Sequence, residues 1–327
     1  MMVRAKITGT GSAVPEKILT NFDLERLVDT SDEWITTRTG IKERHVASDD
    51  EYTSCFATGA ARNALEMAGV DPSELDLIIV ATVTPDFPFP ATACLVQDNL
   101  KASKAVAFDI SAACSGFIYG LSIVEKFIGT GAVRKALVIG AEVLTRIVDW
   151  TDRNTCCLFG DGAGAVIVEA SEGDSGILST HIHSDGTYWE LLNQPGAGSR
   201  NPVCQKTLDG KLMYINMQGN EVFKLAVRAM EDVAHEALST NNLSTVDIDL
   251  FIPHQANRRI IDAIGKRMGL SEKQLFVNLE RYGNTSSASI PLALDEANRS
   301  GRIKSGDIVL FDAFGGGLTW GAALVRW

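Results

Sequence analysis

Little in this chain of 327 residues points to a membrane, a nucleic acid or a metal as its partner. No stretch approaches the roughly 20 apolar residues of a spanning helix. The start, Met1-Met2-Val3-Arg4-Ala5-Lys6, has no apolar run suited to a signal peptide, so a cytoplasmic protein is expected. Positive charge is scarce: 30 Lys and Arg face 41 Asp and Glu, for a net charge of −11. That deficit argues against non-specific binding to nucleic acid or anionic membrane, and an acidic partner would need a local basic patch. The six cysteines, at 55, 94, 114, 156, 157 and 204, show neither CxxC nor another metal-ligand spacing. Most read as small buried thiols, and Cys156-Cys157-Leu158-Phe159 reads as buried strand.

What is present is an ordinary globular balance, 45% apolar and 22% charged. Short β-type runs (Ala5–Thr8, Leu75–Thr82, Ala105–Ile110, Ala136–Glu142, Gly164–Glu169, Leu250–Pro253, Ile308–Ala313) alternate with amphipathic stretches at Cys55–Ala68, Phe117–Ile128, Asn220–Ala237 and Arg258–Met268. Alternation of this kind predicts a parallel or mixed sheet covered by helices. The halves also echo each other. Leu75-Asp76-Leu77-Ile78-Ile79 matches Ile248-Asp249-Leu250-Phe251-Ile252, and Ala141 matches Ala313. Cys114 and Asn284 each open a small-residue helix start at a similar offset. A duplicated α/β unit is expected, with halves 1–172 and 173–327.

Three polar residues stand where such folds place chemistry. Cys114 follows the strand-like Phe108-Asp109-Ile110 through small residues and precedes a helical pattern. A thiol facing a helix N-terminus is favoured as thiolate, and the turn resembles a nucleophile elbow whose backbone N–H helps hold an oxyanion. His254 closes the strand Leu250–Pro253, the end at which α/β sheets bind ligands. Asn284, in Gly283-Asn284-Thr285-Ser286-Ser287, suits either a cap or an amide donor. The run Phe314-Gly315-Gly316-Gly317 lets backbone approach a ligand closely, or simply closes a hairpin. Two glycine-rich decoys fail: Gly9-Thr10-Gly11 lacks the helix opening of a dinucleotide site, and Gly160–Gly164 lacks the Walker spacing and lysine.

Taken together, the ordered motifs resemble the thiolase-fold condensing enzymes, and most closely the β-ketoacyl-[acyl-carrier-protein] synthase III family. They include Trp34–Ile41, the Cys114 segment, Thr151-Asp152-Arg153, Gly160–Ala165, Met217–Phe223, Pro253-His254-Gln255-Ala256-Asn257, Gly283-Asn284-Thr285 and Gly315–Gly321. The resemblance implies a five-layered αβαβα fold, a homodimer, and a Cys114–His254–Asn284 triad. It implies that Cys114 accepts a short acyl group from CoA, with backbone N–H groups of Cys114 and Gly316 holding the oxyanion. His254 and Asn284 would then assist decarboxylation of malonyl carrier protein and condensation to a 3-oxoacyl product. No metal or redox cofactor is implied, since acyl-CoA and the carrier protein are substrates. Trp34, Arg38 and Arg153 would hold the CoA nucleotide, Asn220 and Asn257 would line the pantetheine tunnel, and Phe89 would reach the partner's acyl pocket.

The acidic carrier protein needs a basic rim. In the helical pattern after His254, Ile260, Ile264 and Met268 would be buried. That leaves Arg258, Arg259, Lys266 and Arg267 exposed, with Lys224 from the preceding helix. Departures from the family pattern at Trp150, Tyr188–Lys211 and Leu318 bear on starter selectivity. The competing readings are a related condensing enzyme of secondary metabolism, a Cys-dependent thioester hydrolase and, least favoured, a nicotinamide oxidoreductase.

Overall fold

Strands that are apolar on both faces can be satisfied only between two covering layers. The computed structural model, which describes residues 3–327, places them so. The first sheet contains β1 (Val3–Ala13), β2 (Leu77–Ala81), β3 (Val106–Ile110), β4 (Lys135–Glu142) and β5 (Gly162–Glu172), in the spatial order β1-β5-β4-β2-β3. The second contains β6 (Gly176–Ser184), β7 (Leu250–Pro253), β8 (Ile308–Gly315) and β9 (Thr319–Arg326), in the order β6-β9-β8-β7. In both sheets the first two pairings are antiparallel and the next is parallel. Position by position, β1, β2 and β4 precede β6, β7 and β8 by 173 residues: Val3 to Gly176, Leu77 to Leu250, Lys135 to Ile308.

Among the helices are α1 (Asp32–Thr39), α2 (Thr53–Ala68), α3 (Thr92–Leu100), α4 (Gly116–Gly129), α5 (Arg153–Cys156), α6 (Gly219–Thr240), α7 (Arg258–Arg267) and α8 (Ser289–Arg299). On the outer face of the first sheet, Phe56, Ala60 and Ala64 of α2 and Val96 of α3 pack on Ile78, Val80 and Ile139. Between the sheets, Phe117 and Leu121 of α4 and Ile290 and Leu294 of α8 meet Ile79 and Val138 on one side and Ile252 and Phe311 on the other. Outside the second sheet, Val227, Met230 and Ala234 of α6 and Ile264 of α7 cover Phe251, Leu310 and Leu324. The result is the five-layered αβαβα arrangement. The pair Gly9 and Gly11, which carries no dinucleotide site, lets α2 lie directly on β1: a Cβ on either would stand 2.3 Å from a carbonyl of Ala64 or Ala60.

The two sheets end differently. Edge strand β7 is covered, because Phe251 N–H donates to Gln274 O and Phe276 N–H donates to Phe251 O. Edge strand β3 is uncovered, with Val106 63% exposed and the rest of the strand half-buried.

Several sequence expectations need correction. Cys156 ends the short helix α5 and Cys157 follows it, so this buried segment is not a strand; only Phe159 makes a single bridge, to Asn284. Strand β6 was not anticipated, because Gly176-Ile177-Leu178-Ser179-Thr180-His181 breaks its apolar run early. On α7 the buried positions are Ile261 and Ile264, with Met268 just beyond, while Ile260 is only half-buried. The counterpart of Cys114 at the 173-residue offset is Ser287, three residues past Asn284.

Candidate active site

Cys114 lies in a 3-10 turn, Ala113–Ser115, between β3 and α4. The turn begins with Ala113 at φ +46°, a left-handed conformation that costs a non-glycine residue energy and has to be held by its surroundings. Two hydrogen bonds hold it: Ser115 Oγ donates to Thr319 O at 3.0 Å, and Thr319 Oγ1 donates to Ala112 O at 2.8 Å. At this position in the turn, Cys114 keeps an N–H without an intrahelical acceptor, available to a ligand. Gly315 explains how close the second sheet comes, since a Cβ there would stand 2.6 Å from Cys114 N. This glycine was missed in the sequence, where the triple-glycine run suggested Gly316. Gly316 does line the cavity.

The expected thiolate does not survive burial. Desolvation pushes the Cys114 thiol up to about 12; a hydrogen bond with the Ser286 hydroxyl lowers it in part, and the nearby Glu142 charge raises it. Loss of water outweighs the 3-10 turn and the helix end beyond it.

His254 sits one residue past β7, its N–H donating to Asp312 O at 2.7 Å. The ring is buried, its Nδ1 is 2.6 Å from Ser289 Oγ, and no group among the described residues bonds Nε2. Desolvation lowers its pKa to about 3, so the imidazole is neutral at any ordinary pH. Asn284 is fixed by its backbone, with N–H donating to Leu158 O at 2.8 Å and its carbonyl accepting from Gly160 N–H at 3.1 Å. Its Oδ1 accepts the Ser286 N–H at 2.9 Å. A backbone N–H can only donate, so the amide oxygen faces Ser286 and the NH2 group is turned away, without a partner among the described residues.

All three side chains line one cavity of about 1580 Å³. At its exposed end the Arg38 guanidinium lies 4.4 Å from the Trp34 ring centroid and that of Arg153 lies 5.1 Å away. Arg153 also contacts Asp29, donating to its carbonyl at 2.9 Å. Asn220, at the start of α6, lines the wall. So does Asn257, but its side chain is already engaged: Oδ1 caps α7 through Arg259 N–H at 2.9 Å, and Nδ2 donates to Arg38 O at 3.1 Å. Arg259 and Lys224 stand at the rim of this cavity. Lys224 is paired with Glu221 and Arg258 with Asp262, whereas Arg259 lies over Phe223 with no ion-pair partner among the described residues. Lys266 is exposed and outside the cavity lining. Phe89 is 84% exposed and does not reach this cavity. Trp189, Leu192 and Lys211 of the long loop form part of the wall, and Trp150 packs half-buried against the cluster around Cys156 and Phe159. The Gly160–Gly164 loop proves structural. Asp161 within it accepts from Ala47 N–H at 2.8 Å and from Thr145 N–H at 2.9 Å.

Fold and site together define a class: a thiolase-like α/β protein with a buried thiol where its two duplicated sheets meet. Residues 108–186 match the family model for 3-oxoacyl-[acyl-carrier-protein] synthase III, and residues 238–327 match its C-terminal model. The chain is 56% identical to the β-ketoacyl-[acyl-carrier-protein] synthase III of Caldanaerobacter subterraneus subsp. tengcongensis, over 99% of this chain and 98% of that one. It is 54% identical to the enzyme of the same name from Natranaerobius thermophilus, over 100% of both. The crystal structure of 3-oxoacyl-[acyl-carrier-protein] synthase III from Aquifex aeolicus VF5 superposes with a TM-score of 0.93 at 53% identity, covering 99% of this chain and 100% of that one. The chain belongs to the β-ketoacyl-[acyl-carrier-protein] synthase III family, acyltransferases that carry out the initiating condensation of fatty acid synthesis.

Proposed function

We propose that this enzyme joins a short acyl-CoA to malonyl-[acyl-carrier-protein] in two half-reactions, with the nucleophile Cys114 in the half 1–172 and His254 and Asn284 in the half 173–327. In the first, the Cys114 sulfur attacks the acyl-CoA carbonyl. Because the thiol is protonated at rest, its proton must leave as the C–S bond forms, and it ends on the departing CoA sulfur. The Cys114 N–H, and the Gly316 N–H opposite, stabilise the tetrahedral oxyanion. Trp34, Arg38 and Arg153 hold the nucleotide of CoA, and Asn220 and Asn257 flank its pantetheine arm.

In the second half-reaction the malonyl thioester enters the same cavity. Neutral His254 and the Asn284 amide donate hydrogen bonds to its carbonyl oxygen, where charge gathers as CO2 leaves. The resulting carbanion attacks the acyl-Cys114 carbonyl, the C–S bond breaks with its electron pair leaving on sulfur, and a proton taken up from solvent restores the thiol as the 3-oxoacyl product forms. A donor that stays neutral suits this step, because it stabilises the enolate oxygen without first giving it a proton. Both steps balance without a redox or metal cofactor.

Carrier-protein docking falls to the rim cations Arg259 and Lys224, with Arg258 and Lys266 beside them. The uncovered strand β3, together with exposed Phe87 and Phe89, supports a homodimer in which β3 pairs with its copy and Phe89 enters the partner's acyl pocket. None of the helices is long and apolar enough to cross a membrane among the described residues, which accords with a cytoplasmic enzyme.

The observation that carries this reading is the convergence, in one cavity, of a thiol and two neutral donors whose remaining polar atoms are all engaged by protein groups. Intact-mass measurement after incubation with a panel of acyl-CoAs tests it. One acyl mass mapping to Cys114, and release of a 3-oxoacyl carrier protein on adding the malonyl substrate, is expected. Release of free acid instead would mark a hydrolase and overturn the reading.

A further inference from the structure

The imidazole of His254 can act as a donor only if its Nε2 carries the proton, and nothing in the ring itself decides that. Its other nitrogen, Nδ1, faces Ser289 Oγ at 2.6 Å, and both residues are buried. The hydroxyl has one further neighbour: the backbone N–H of Gln255 donates to it at 3.3 Å. That N–H is held in place. Gln255 donates its side-chain amide to Pro253 O at 2.7 Å and Phe276 O at 3.2 Å, and accepts the Asn278 N–H at 3.1 Å. Ser289 is the first residue of α8, one past the N-cap Ala288, and its Oγ makes no hydrogen bond to the backbone of its own helix. Oγ therefore receives one hydrogen bond from Gln255, and its own hydrogen has a single acceptor available among the described residues, His254 Nδ1.

From this we infer that Ser289 is a positioning residue that fixes His254 as the Nε2–H tautomer and aims that N–H into the substrate cavity. The inference rests on the role proposed for His254, and it deepens that role in two ways. With Nδ1 occupied as acceptor and Nε2 protonated, the resting imidazole has no free lone pair facing the cavity, so it cannot take the proton of Cys114. Acylation must then proceed without a histidine base, whereas condensation depends on a correctly presented Nε2–H. The same device appears on Asn284, whose Oδ1 is pinned by Ser286 N–H so that only its NH2 group is offered. Two donors are thus set by protein groups behind them, before substrate arrives.

The tautomer is readable without substrate, from nitrogen-15 shifts of the imidazoles in the intact enzyme, with His254→Gln assigning the His254 signals among the five histidines. The expected wild-type spectrum shows Nε2 protonated and Nδ1 as an acceptor, unchanged between pH 5 and 9. Ser289→Ala should release the ring to a mixture or to Nδ1–H, and should slow condensation by at least about tenfold, the equivalent of one oriented hydrogen bond. Acylation of Cys114 should change little, and Ser289→Thr, which keeps the hydroxyl, should restore both the tautomer and the condensation rate. A wild-type ring protonated at Nδ1 would overturn the inference. So would a Ser289→Ala enzyme that keeps both tautomer and rate. Failure of any acyl-CoA to modify Cys114 would instead undo the functional reading and leave the tautomer measurement standing by itself.

Discussion

Two turns in this molecule are copies of each other, and only one of them carries a thiol into the cavity. The turn Ala113–Ser115 and the turn Ser286–Ala288 stand 173 residues apart, and each begins with a non-glycine residue at positive φ, Ala113 at +46° and Ser286 at +49°. Each closes with the same hydrogen bond, Ser115 N–H to Ala112 O and Ala288 N–H to Thr285 O. At the matching place in the second turn, Cys114 is replaced by Ser287. The strand-end position of His254 corresponds to Ala81. Gly315, whose lack of a side chain leaves room beside Cys114, corresponds to Glu142.

The duplicated site is closed by its own side chains. Ser287 Oγ donates to Ala81 O at 2.8 Å and lies 3.0 Å from Glu142 Oε1, while the other carboxylate oxygen accepts from Thr84 Oγ1 at 2.6 Å and Val83 N–H at 3.1 Å. One architecture therefore gives two strained turns facing two strand ends. Whether a substrate site forms depends on three residues: the one in the turn, the one at the strand end, and the one that leaves or fills the space between. The halves also differ in what joins the last two strands. In the first half β4 and β5 are connected by residues 143–161, which carry Arg153 and Cys157 into the cavity wall. In the second half Gly316–Leu318 closes a tight hairpin between β8 and β9. Trp34, Arg38 and Arg153 of the cavity thus come from the first half, and His254 and Asn284 from the second.

The sharpest way to break this comparison is to exchange the turn residues. Cys114→Ala should abolish the acyl adduct, and adding Ser287→Cys should not restore it, because the second turn has neither a histidine nor open space. An acyl mass found at position 287 by peptide mapping would mean that the turn alone makes the nucleophile. A smaller effect is expected at the rim. Arg259→Glu should raise the carrier-protein KM by up to about fivefold, the scale of one exposed charge, and leave acyl-CoA kinetics unchanged. Lys224→Glu should do less, since Glu221 already offsets that lysine. Added salt should shrink the difference between wild type and variant.

The smallest effect concerns the filled site. Burial raises the Glu142 pKa, although hydrogen bonds from Thr84, Val83 and the neighbouring serines oppose the shift. Below the unfolded value both states are protonated. Above it the unfolded chain ionises first, so the native state binds more protons and stability falls as pH rises toward the folded pKa. Glu142→Gln should therefore flatten the decline of Tm as pH rises above the ordinary carboxylate range. A decline as steep as in wild type would place its origin at another group.

Much of this was legible in the sequence because the resemblance and the residue patterns pointed the same way. The apolar runs at Leu75–Thr82 and Leu250–Pro253 contain the observed strands Leu77–Ala81 and Leu250–Pro253, and Cys114, His254 and Asn284 each follow such a strand or open a small-residue turn. What could not be read was set by distance in space. Gly315 matters because Cys114 N lies against it, and Ser289 because His254 Nδ1 does, across 35 residues. The thiol's upward shift depends on total burial, which no local pattern reports, and a helix-end argument alone gave the opposite sign. Asn284 was paired with Cys114 in the sequence because both open small-residue runs, whereas the folded copy of Cys114 is a serine buried in hydrogen bonds.

The central claim is that Cys114 takes up the acyl group without His254 and Asn284, which serve the decarboxylating condensation. Following both half-reactions on the same rapidly quenched samples of His254→Ala and Asn284→Ala tests it most directly, with adduct mass at Cys114 and CO2 released from malonyl carrier protein measured side by side. The account predicts adduct formation within a few-fold of wild type and CO2 release reduced by about 10²-fold or more, the scale of losing one oxyanion donor. Adduct and CO2 falling together, in the same proportion, would contradict it.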